Sequence, residues 1–435
     1  MKPSIPIEEY QTRRKKFLAQ LPKNSIAMVA SAPVRYKTTD NEYPYHPNNN
    51  FYYLTGFTES NCVAVFIPDR KEGQFILFNL AKMRKEEIWH GIRAGQQAAV
   101  DEFLADQAFS IDEFKKKLLE WLPGKTQIFF SPGTHIGYDE IITEAINSMR
   151  DQIAPPVIYP VNPIIHEMRL IKSEAEIALL RFAAQTSVAA HKRAMKICRP
   201  GLYEYHLAAE LMHEFLWANC QASYNSIVAA GSHGIILHYT KNNGVLTTGD
   251  LLLIDAGGEY DFYDADVTTT FPVNGIFSTE QKLIYDLVLQ AQRAALQSVK
   301  PGVCWLALQE IIVRIMTEGL LKLGILQGRL DDLLANHSIA QFYMHNSGHW
   351  LGLDTHDVGL YKVGEAWRTL QPGMVFTLEP GLYLSKDTPG LDPRWHDIAV
   401  RIEDDVVVTQ TGYELLSDGL PRTTEEIELF MAKKV

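Results

Sequence analysis

The feature of this 435-residue chain that most constrains its fold is Leu251–Thr270, an apolar stretch that two acidic residues interrupt. It begins with a continuous apolar run, which is typical of a strand buried on both faces. A glycine pair and an aromatic and acidic turn follow, and the stretch ends in β-branched residues that suit a second strand. The stretch therefore predicts a β-hairpin that holds Asp255 and Asp266 on one face of neighbouring strands.

The two carboxylates of this hairpin need compensation. Burial of an unpaired ion costs several kcal/mol. Two carboxylates about 4 Å apart repel each other by about 4 kcal/mol, even at an effective dielectric constant of about 20. They must therefore share a proton, pair with bases or bind metal, and a role as a simple turn or ion-pair residue is the structural alternative for either acid.

Composition limits the classes of partner. The chain is 46% hydrophobic and 21% charged, and it is long enough for two or three domains. Its formal net charge is −11, and we interpret the strongest basic cluster, Arg13–Lys16, as the solvated face of a helix over 7–21, so nucleic acid is not an expected partner. Because no window has the ~18 apolar residues of a membrane span and no signal-peptide core is recognised, we expect no membrane partner and a cytoplasmic location with free cysteines.

Two domains are predicted. Residues 1–168 have the apolar runs and helices of an α/β domain with a mixed sheet flanked by helices, and residues 169–435 form an α+β domain. Prolines at positions 155, 156, 160 and 163 mark the linker. The second domain opens on a helix over 173–198, because Ser173 and Glu176 have the spacing of a capping box.

A repeated order of elements indicates two similar halves in the second domain. The first helix ends at Arg-Pro-Gly, and a helix over 203–219 and the hairpin follow. The second half repeats this order about 101 positions later, with Lys-Pro-Gly at the end of its first helix. Its predicted elements are helices over 279–299 and 304–323 and strands over 374–383 and 398–408. Such a repeat suggests two halves related by a pseudo-twofold axis.

The strands of the second half also carry acids, Glu379 and Glu403. Three histidines lie close together in the preceding segment, Met344–Asp357. Four carboxylates and one imidazole form a natural pair of metal sites, since four negative charges balance two divalent cations. Such hard ligands favour manganese, and less strongly magnesium, iron or cobalt, over a structural zinc site. A metal pair of this kind lowers the pKa of a bridging water and yields a nucleophile.

Six strings carry a family resemblance. They are Ile236–Thr240, Leu253–Gly257, Asp266–Thr268 with Phe271–Val273, Ser347–Asp354, Glu379–Gly381 and Arg401–Asp405. Together and in this order they resemble the pita-bread metallopeptidases, and most closely the bacterial Xaa-Pro aminopeptidase (aminopeptidase P) group, over nearly the whole chain. The resemblance implies a C-terminal pita-bread catalytic domain with pseudo-twofold halves and two divalent metal ions, with Mn²⁺ favoured and Co²⁺, Zn²⁺ or Mg²⁺ as alternatives.

The resemblance also implies a role for each metal ligand. Asp255 would bind one metal, and Asp266 and Glu403 would bridge both. His349 and Glu379 would complete the second site, and Glu379 would also handle the proton of the bridging water.

Around these ligands the resemblance implies substrate-side residues. His238 and His356 would flank the substrate and stabilise the tetrahedral intermediate, and His345 would lie nearby. Arg401 would orient a ligand carboxylate. Three further residues would contact the substrate or extend this network: Asp40, Trp89 and Tyr383. The structural alternative for Trp89 and Tyr383 is a core aromatic, and for Asp40 a turn residue. His345 could be a structural histidine, and Arg401 could form a plain ion pair.

The implied function is a homodimeric or homotetrameric metallo-exopeptidase that releases the N-terminal residue from peptides with proline in second place. An Xaa-Pro dipeptidase is the nearest alternative because it shares all five ligands, although residues 40–45 favour the aminopeptidase. Two further alternatives are a phosphotriester-hydrolysing relative and a non-catalytic binding relative. The last is disfavoured because such relatives tend to lose ligands.

Overall fold

The structure, a computed structural model, describes residues 2–149 and 156–433. The chain divides into two compact units, Ile5–Arg169 and a second that comprises Leu170 onward with the first few residues. Pro155, one of the prolines that mark the predicted linker, lies outside the described residues. Within those residues, every helix is too short or too polar to cross a membrane.

The first unit is a mixed sheet with helices around it. Its elements are α1 (Ile7–Leu18), β1 (Ser25–Ala30), α2 (Asn49–Thr55), β2 (Val63–Phe66), β3 (Phe75–Asn79), α3 (Arg84–His90), α4 (Gly95–Asp101), β4 (Gln107–Ser110), α5 (Phe114–Trp121), β5 (Gln127–Phe129), α6 (Ile136–Asn147), β6 (Val157–Tyr159) and α7 (Asn162–Leu170). The strand order is β4-β3-β2-β1-β5-β6. Strands β1, β2 and β3 pair antiparallel, and the outer pairs are parallel.

The interpretation of Arg13–Lys16 as a solvated helix face was wrong for its first two residues. Arg13 and Arg14 are buried, and their guanidinium groups donate to the carbonyls of Tyr53 and Leu54 at 3.2 and 3.1 Å. Helix α2 ends in this region, so its last carbonyls lack partners within the helix. The two arginines supply those partners, which a pattern of charges along one helix could not reveal.

The second unit contains the repeated elements. They are α8 (Glu174–Ile197), α9 (Glu204–Trp217), β7 (Gln221–Ala222), β8 (Ile227–Ala230), β9 (Leu251–Asp255), β10 (Gly258–Tyr260), β11 (Tyr263–Asp264), β12 (Thr268–Pro272), α10 (Thr279–Ser298), α11 (Trp305–Lys322), α12 (Leu330–Ala335), β13 (Lys362–Val363), β14 (Ala366–Trp367), β15 (Val375–Leu378), β16 (Gly381–Leu384), β17 (Ile398–Arg401), β18 (Asp404–Val408), β19 (Tyr413–Leu415) and α13 (Thr424–Ala432). The predicted helices agree with α8 to α11 within two residues at each end. Capping boxes begin α8 at Ser173 and α10 at Ser278.

The central hairpin consists of two short antiparallel strand pairs, one following the other, rather than one continuous pair. Strand β9 pairs with β12, and β10 pairs with β11 beyond a gap in both strands. Asp261 and Phe262 form the turn, both with positive φ, which matches the twist of a two-residue hairpin. Asp255 is the last residue of β9, and Asp266 lies in the gap between β11 and β12.

The second half repeats this broken hairpin. Strand β15 pairs with β18, and β16 pairs with β17. Glu379 lies in the gap after β15 and Glu403 in the gap before β18. The prediction of two unbroken strands over 374–383 and 398–408 was therefore wrong, because apolar residues continue on both sides of each gap and hide it.

The two hairpins meet side by side. The backbone N–H of Glu403 donates to the Thr268 carbonyl at 3.1 Å, and the Thr270 hydroxyl donates to the Arg401 carbonyl at 2.9 Å. The gaps of both hairpins are thereby brought together, and the four acids with them.

Candidate metal centre and active site

The second unit contains a cavity of about 660 Å³ beside the four gaps. All five predicted ligands line it, together with four of the predicted substrate-side residues. These nine are Asp255, Asp266, His349, Glu379 and Glu403, and His238, His345, His356 and Arg401. Tyr383 lies behind this wall, fully buried. Asp40 and Trp89 belong to the first unit and are exposed, the latter by 80%.

Three of the ligands form a tight group. Asp266, His349 and Glu403 each offer an atom within 4.8 Å of the other two. His349 Nε2 lies 3.4 Å from Asp266 Oδ2 and 3.6 Å from Glu379 Oε1. The other ring nitrogen, Nδ1, lies 3.0 Å from the Trp350 carbonyl and must carry a proton to donate to it, so Nε2 is the nitrogen that can bind a cation once its own proton leaves.

The charges of this group fit a cation site. Burial and the neighbouring carboxylates raise the pKa of Glu403 well above its ordinary value, and burial, opposed by His349, raises the pKa of Glu379 to about 7. Burial lowers the pKa of His349, but Asp266 and Glu379 outweigh it and raise that pKa to about 9. Crowded carboxylates that hold protons in this way exchange them for a divalent ion when one binds.

Arg401 alone cannot neutralise the four carboxylates. Its Nη2 donates to Asp255 Oδ2 at 2.6 Å, and it is the one arginine or lysine among the described residues that line the cavity. Once the carboxylates and His349 give up their protons, one guanidinium group balances only one of four negative charges, and hard divalent ions neutralise that surplus.

A hydroxyl group that sequence reasoning missed lies between two of the ligands. The Tyr224 hydroxyl oxygen is 2.5 Å from both Asp255 Oδ1 and Asp266 Oδ1. A second missed group is Thr268, whose hydroxyl donates to Glu403 Oε2 at 2.6 Å. Tyr224 follows β7 in an irregular segment without a periodic pattern, and Thr268 belongs to a threonine run that the strand itself explains, so neither gave a signal.

The remaining polar groups form a chain behind the ligands. Arg401 Nη1 donates to the Tyr383 hydroxyl at 2.8 Å, and that hydroxyl lies 2.9 Å from His345 Nε2. Burial, opposed by Arg401, raises the pKa of Tyr383 to about 12. Burial and Arg401 lower the pKa of His345 to about 4, so its ring is neutral. Hydrogen bonds thus connect Asp255 to a neutral histidine on the cavity wall.

Two more histidines face the cavity. The His356 ring lies 4.1 Å from the His349 ring between centroids, and burial and His349 lower its pKa. His238 is exposed and lines the opening. A neutral imidazole such as that of His356 can donate one hydrogen bond to an oxygen atom bound in the cavity.

Comparison with known proteins assigns the family. Residues 178–410 match metallopeptidase family M24, and residues 10–129 match the aminopeptidase P N-terminal domain. The chain belongs to metallopeptidase family M24. Both matches confirm the predicted architecture, an α/β N-terminal domain before a pita-bread domain with pseudo-twofold halves.

Relatives of this M24 chain match along its whole length. The Xaa-Pro aminopeptidase of Escherichia coli K12 is 42% identical over 434 residues, which cover 98% of each chain. The solved structure of the aminopeptidase PepP of Pseudomonas aeruginosa is 44% identical, with a TM-score of 0.96 and 99% coverage of each chain. The human Xaa-Pro dipeptidase is more distant, at 31% identity over 478 residues, 98% of this chain and 94% of its own.

Proposed function

We propose that this chain is a metal-dependent exopeptidase that releases the N-terminal residue from peptides with proline in second place. The observation that carries the proposal is the group of Asp266, His349 and Glu403 within 4.8 Å on a cavity wall. The similarity at 42% identity to a protein named Xaa-Pro aminopeptidase supports the choice of substrate.

We propose two divalent ions, with manganese favoured over cobalt, zinc and magnesium. Asp255, Asp266 and Glu403 would hold one, and Asp266, His349, Glu379 and Glu403 would hold the other. The donor set of four carboxylates and one imidazole fits hard divalent cations. When bound, such ions polarise a water molecule and a substrate carbonyl.

The protein side chains then orient the peptide and move protons. Glu379, whose carboxylate lines the cavity, can accept a proton on a carboxylate oxygen and return it to the leaving proline nitrogen. His238 and His356 are proposed to donate hydrogen bonds to the oxygen on which negative charge develops, and His345 to contact the substrate beside them.

Arg401 and Tyr383 are proposed to fix this arrangement. The guanidinium group donates one hydrogen bond from Nη2 to Asp255 and another from Nη1 to the Tyr383 hydroxyl. A planar fork of this kind restrains both partners at once. Asp255 and His345 would therefore keep their spacing while a peptide binds.

Several predictions from the sequence stay proposals. Asp40 and Trp89 of the first unit are proposed as substrate-binding residues. A homodimer or homotetramer, a cytoplasmic location and a domain boundary between residues 168 and 169 are proposed as well.

A peptide panel tests the function. The purified protein with Mn²⁺ is offered an Xaa-Pro dipeptide, an Xaa-Pro-Yaa-Yaa peptide and an Xaa-Ala-Yaa-Yaa control. We expect release of Xaa from the Xaa-Pro-Yaa-Yaa peptide and loss of this activity in His349→Ala and Glu379→Ala. Cleavage of the dipeptide alone would establish the dipeptidase instead, and near-normal activity of both variants would overturn the assignment.

A further inference from the structure

A second buried carboxylate, outside the metal cluster, holds the segment that carries His238. Glu204, the first residue of α9, is fully buried. Its Oε1 accepts hydrogen bonds from Ala230 N and His233 Nδ1, each at 2.8 Å. Its Oε2 accepts from the Tyr239 hydroxyl at 2.8 Å and from Gly244 N at 2.6 Å. Each carboxylate oxygen of Glu204 thus accepts two hydrogen bonds.

These four donors come from both ends and the middle of one segment, Ala230–Gly244, which we call the His238 segment. Ala230 ends β8, and the rest of the segment is a 3₁₀ turn followed by irregular chain, so beyond Ala230 no sheet ladder fixes its backbone. A buried charge that accepts four hydrogen bonds is strongly tied to its donors, since each loss would leave the carboxylate less compensated. The Glu204 carboxylate therefore fixes the backbone of this segment, as hydrogen bonds between strands fix the backbone within a sheet.

The residues around Glu204 are closely packed. A Cβ on Gly244 would lie 2.9 Å from Glu204 Oε1 and 2.7 Å from the His233 ring. The His233 and Tyr239 rings stack with centroids 4.4 Å apart. A Cβ on Gly234 would meet the Cβ of Ala399 at 2.8 Å, so the segment is also pressed against β17.

His238 itself depends on this scaffold. Among the described residues, none makes a hydrogen bond to its exposed ring, and the ring lies next in sequence to the anchored Tyr239. We infer that Glu204 is a positioning residue, which places His238 at the cavity by holding the His238 segment. The inference rests on the proposed function for the role of His238.

The test uses Glu204→Gln, which keeps the size of the side chain but turns one shared acceptor into a donor. We expect kcat for an Xaa-Pro-Yaa-Yaa peptide to fall by about 10- to 100-fold, because small displacements of a catalytic group cost that much. KM and metal content should change little, because no metal ligand is touched. Glu210→Gln, on the same helix, is the matched control, because Glu210 is only partly buried and pairs with Arg193; it should leave kcat unchanged.

A double-mutant comparison separates positioning from a general loss of stability. If Glu204 acts through His238, then Glu204→Gln lowers kcat by less than about threefold in a His238→Ala background. The same loss in both backgrounds, or normal kcat in Glu204→Gln alone, would overturn the inference. Should Glu204→Gln not fold, Tyr239→Phe removes a single donor, keeps the ring stack and is judged by the same comparison.

Failure of the proposed function can be distinguished from failure of the positioning role of Glu204. If the unmodified chain cleaves no Xaa-Pro peptide, the function falls, and the imidazole NMR signal of His238 then decides the positioning claim. A changed His238 signal in Glu204→Gln, with the His356 signal unchanged, supports the claim. An unchanged His238 signal overturns it.

Discussion

At the scale of single residues, the proposed site depends on the groups that hold the predicted metal ligands as much as on those ligands themselves. The hydroxyl of Tyr224 touches both Asp255 and Asp266 but carries one proton, so it fixes the separation of two carboxylates that repel each other. Partners of this kind set the orientation of a ligand before a metal binds.

Tyr224→Phe should therefore weaken binding of the metal without removing a ligand. We expect the affinity for Mn²⁺ to fall by about 10- to 100-fold, as is typical for loss of such a partner. Isothermal titration of the metal-stripped protein measures this change. Tyr53→Phe, which removes a buried hydroxyl bound to a backbone carbonyl in the first unit, is the control. Equal affinities in all three proteins would show that the hydroxyl does not orient the ligands.

Arg401→Lys tests the fork between Asp255 and Tyr383. A lysine ammonium keeps the charge but cannot hold both partners in one plane, so we expect kcat to fall by about tenfold or more. Metal content, measured by mass spectrometry of the purified protein, should stay close to that of the unmodified chain. A normal kcat would mean that charge alone matters at this position.

At the scale of elements, the sequence predicted the helices better than the strands. The capping box at Ser173 and the Pro-Gly ends are local signals, and α8 to α11 were predicted closely. The gaps that hold Glu379 and Glu403 have apolar residues on both sides, so periodicity could not detect them. The five predicted ligands nevertheless line one cavity, and they were selected because acids within apolar strands and the family resemblance pointed to the same positions. Tyr224, Thr268 and Glu204 were missed because their partners are distant in sequence.

Two close backbone contacts beside the predicted ligands also need a residue without a side chain, one at Gly257 in the first gap and one at Gly348, next to His349. A Cβ on Gly257 would lie 1.7 Å from the Ala265 carbonyl oxygen, and a Cβ on Gly348 would lie 1.9 Å from the Thr377 carbonyl oxygen. These contacts are too short for any side chain, so the backbone would have to move next to Asp266 or His349.

Gly257→Ala should therefore lower the free energy of unfolding by about 1–3 kcal/mol, the range for overpacking, and should reduce metal affinity as well. Gly412→Ala is the matched control, because the nearest atom to its Cβ would be 3.9 Å away. Denaturant unfolding of the metal-free proteins provides the comparison. A stable Gly257→Ala protein with normal metal affinity would contradict the close contact.

At the scale of the whole molecule, the cluster links stability to pH and metal. In the metal-free protein the pKa of Glu379 is raised to about 7 from 4.5, and that of His349 to about 9 from 6.5. A raised pKa means that the folded state holds the proton more tightly than the unfolded state. The metal-free protein therefore loses stability as pH rises through these two ranges.

Bound metal should reverse this trend, because it requires both ligands without their protons. We expect the increase in Tm caused by Mn²⁺ to be small at pH 5 and to grow steadily toward pH 8. Thermal unfolding with and without the metal, in buffers matched for ionic strength, gives the difference directly. An increase in Tm that is independent of pH would show that metal binding does not displace these protons.

Titration of the metal-stripped protein with Mn²⁺, while hydrolysis of an Xaa-Pro-Yaa-Yaa peptide is followed, tests whether the cluster is a catalytic metal centre. We predict no activity without metal, saturation at two ions per chain and release of the N-terminal residue in step with binding. His349→Ala should bind fewer ions and stay inactive. Full activity of the metal-stripped protein, or a cluster that binds no divalent ion, would contradict the account.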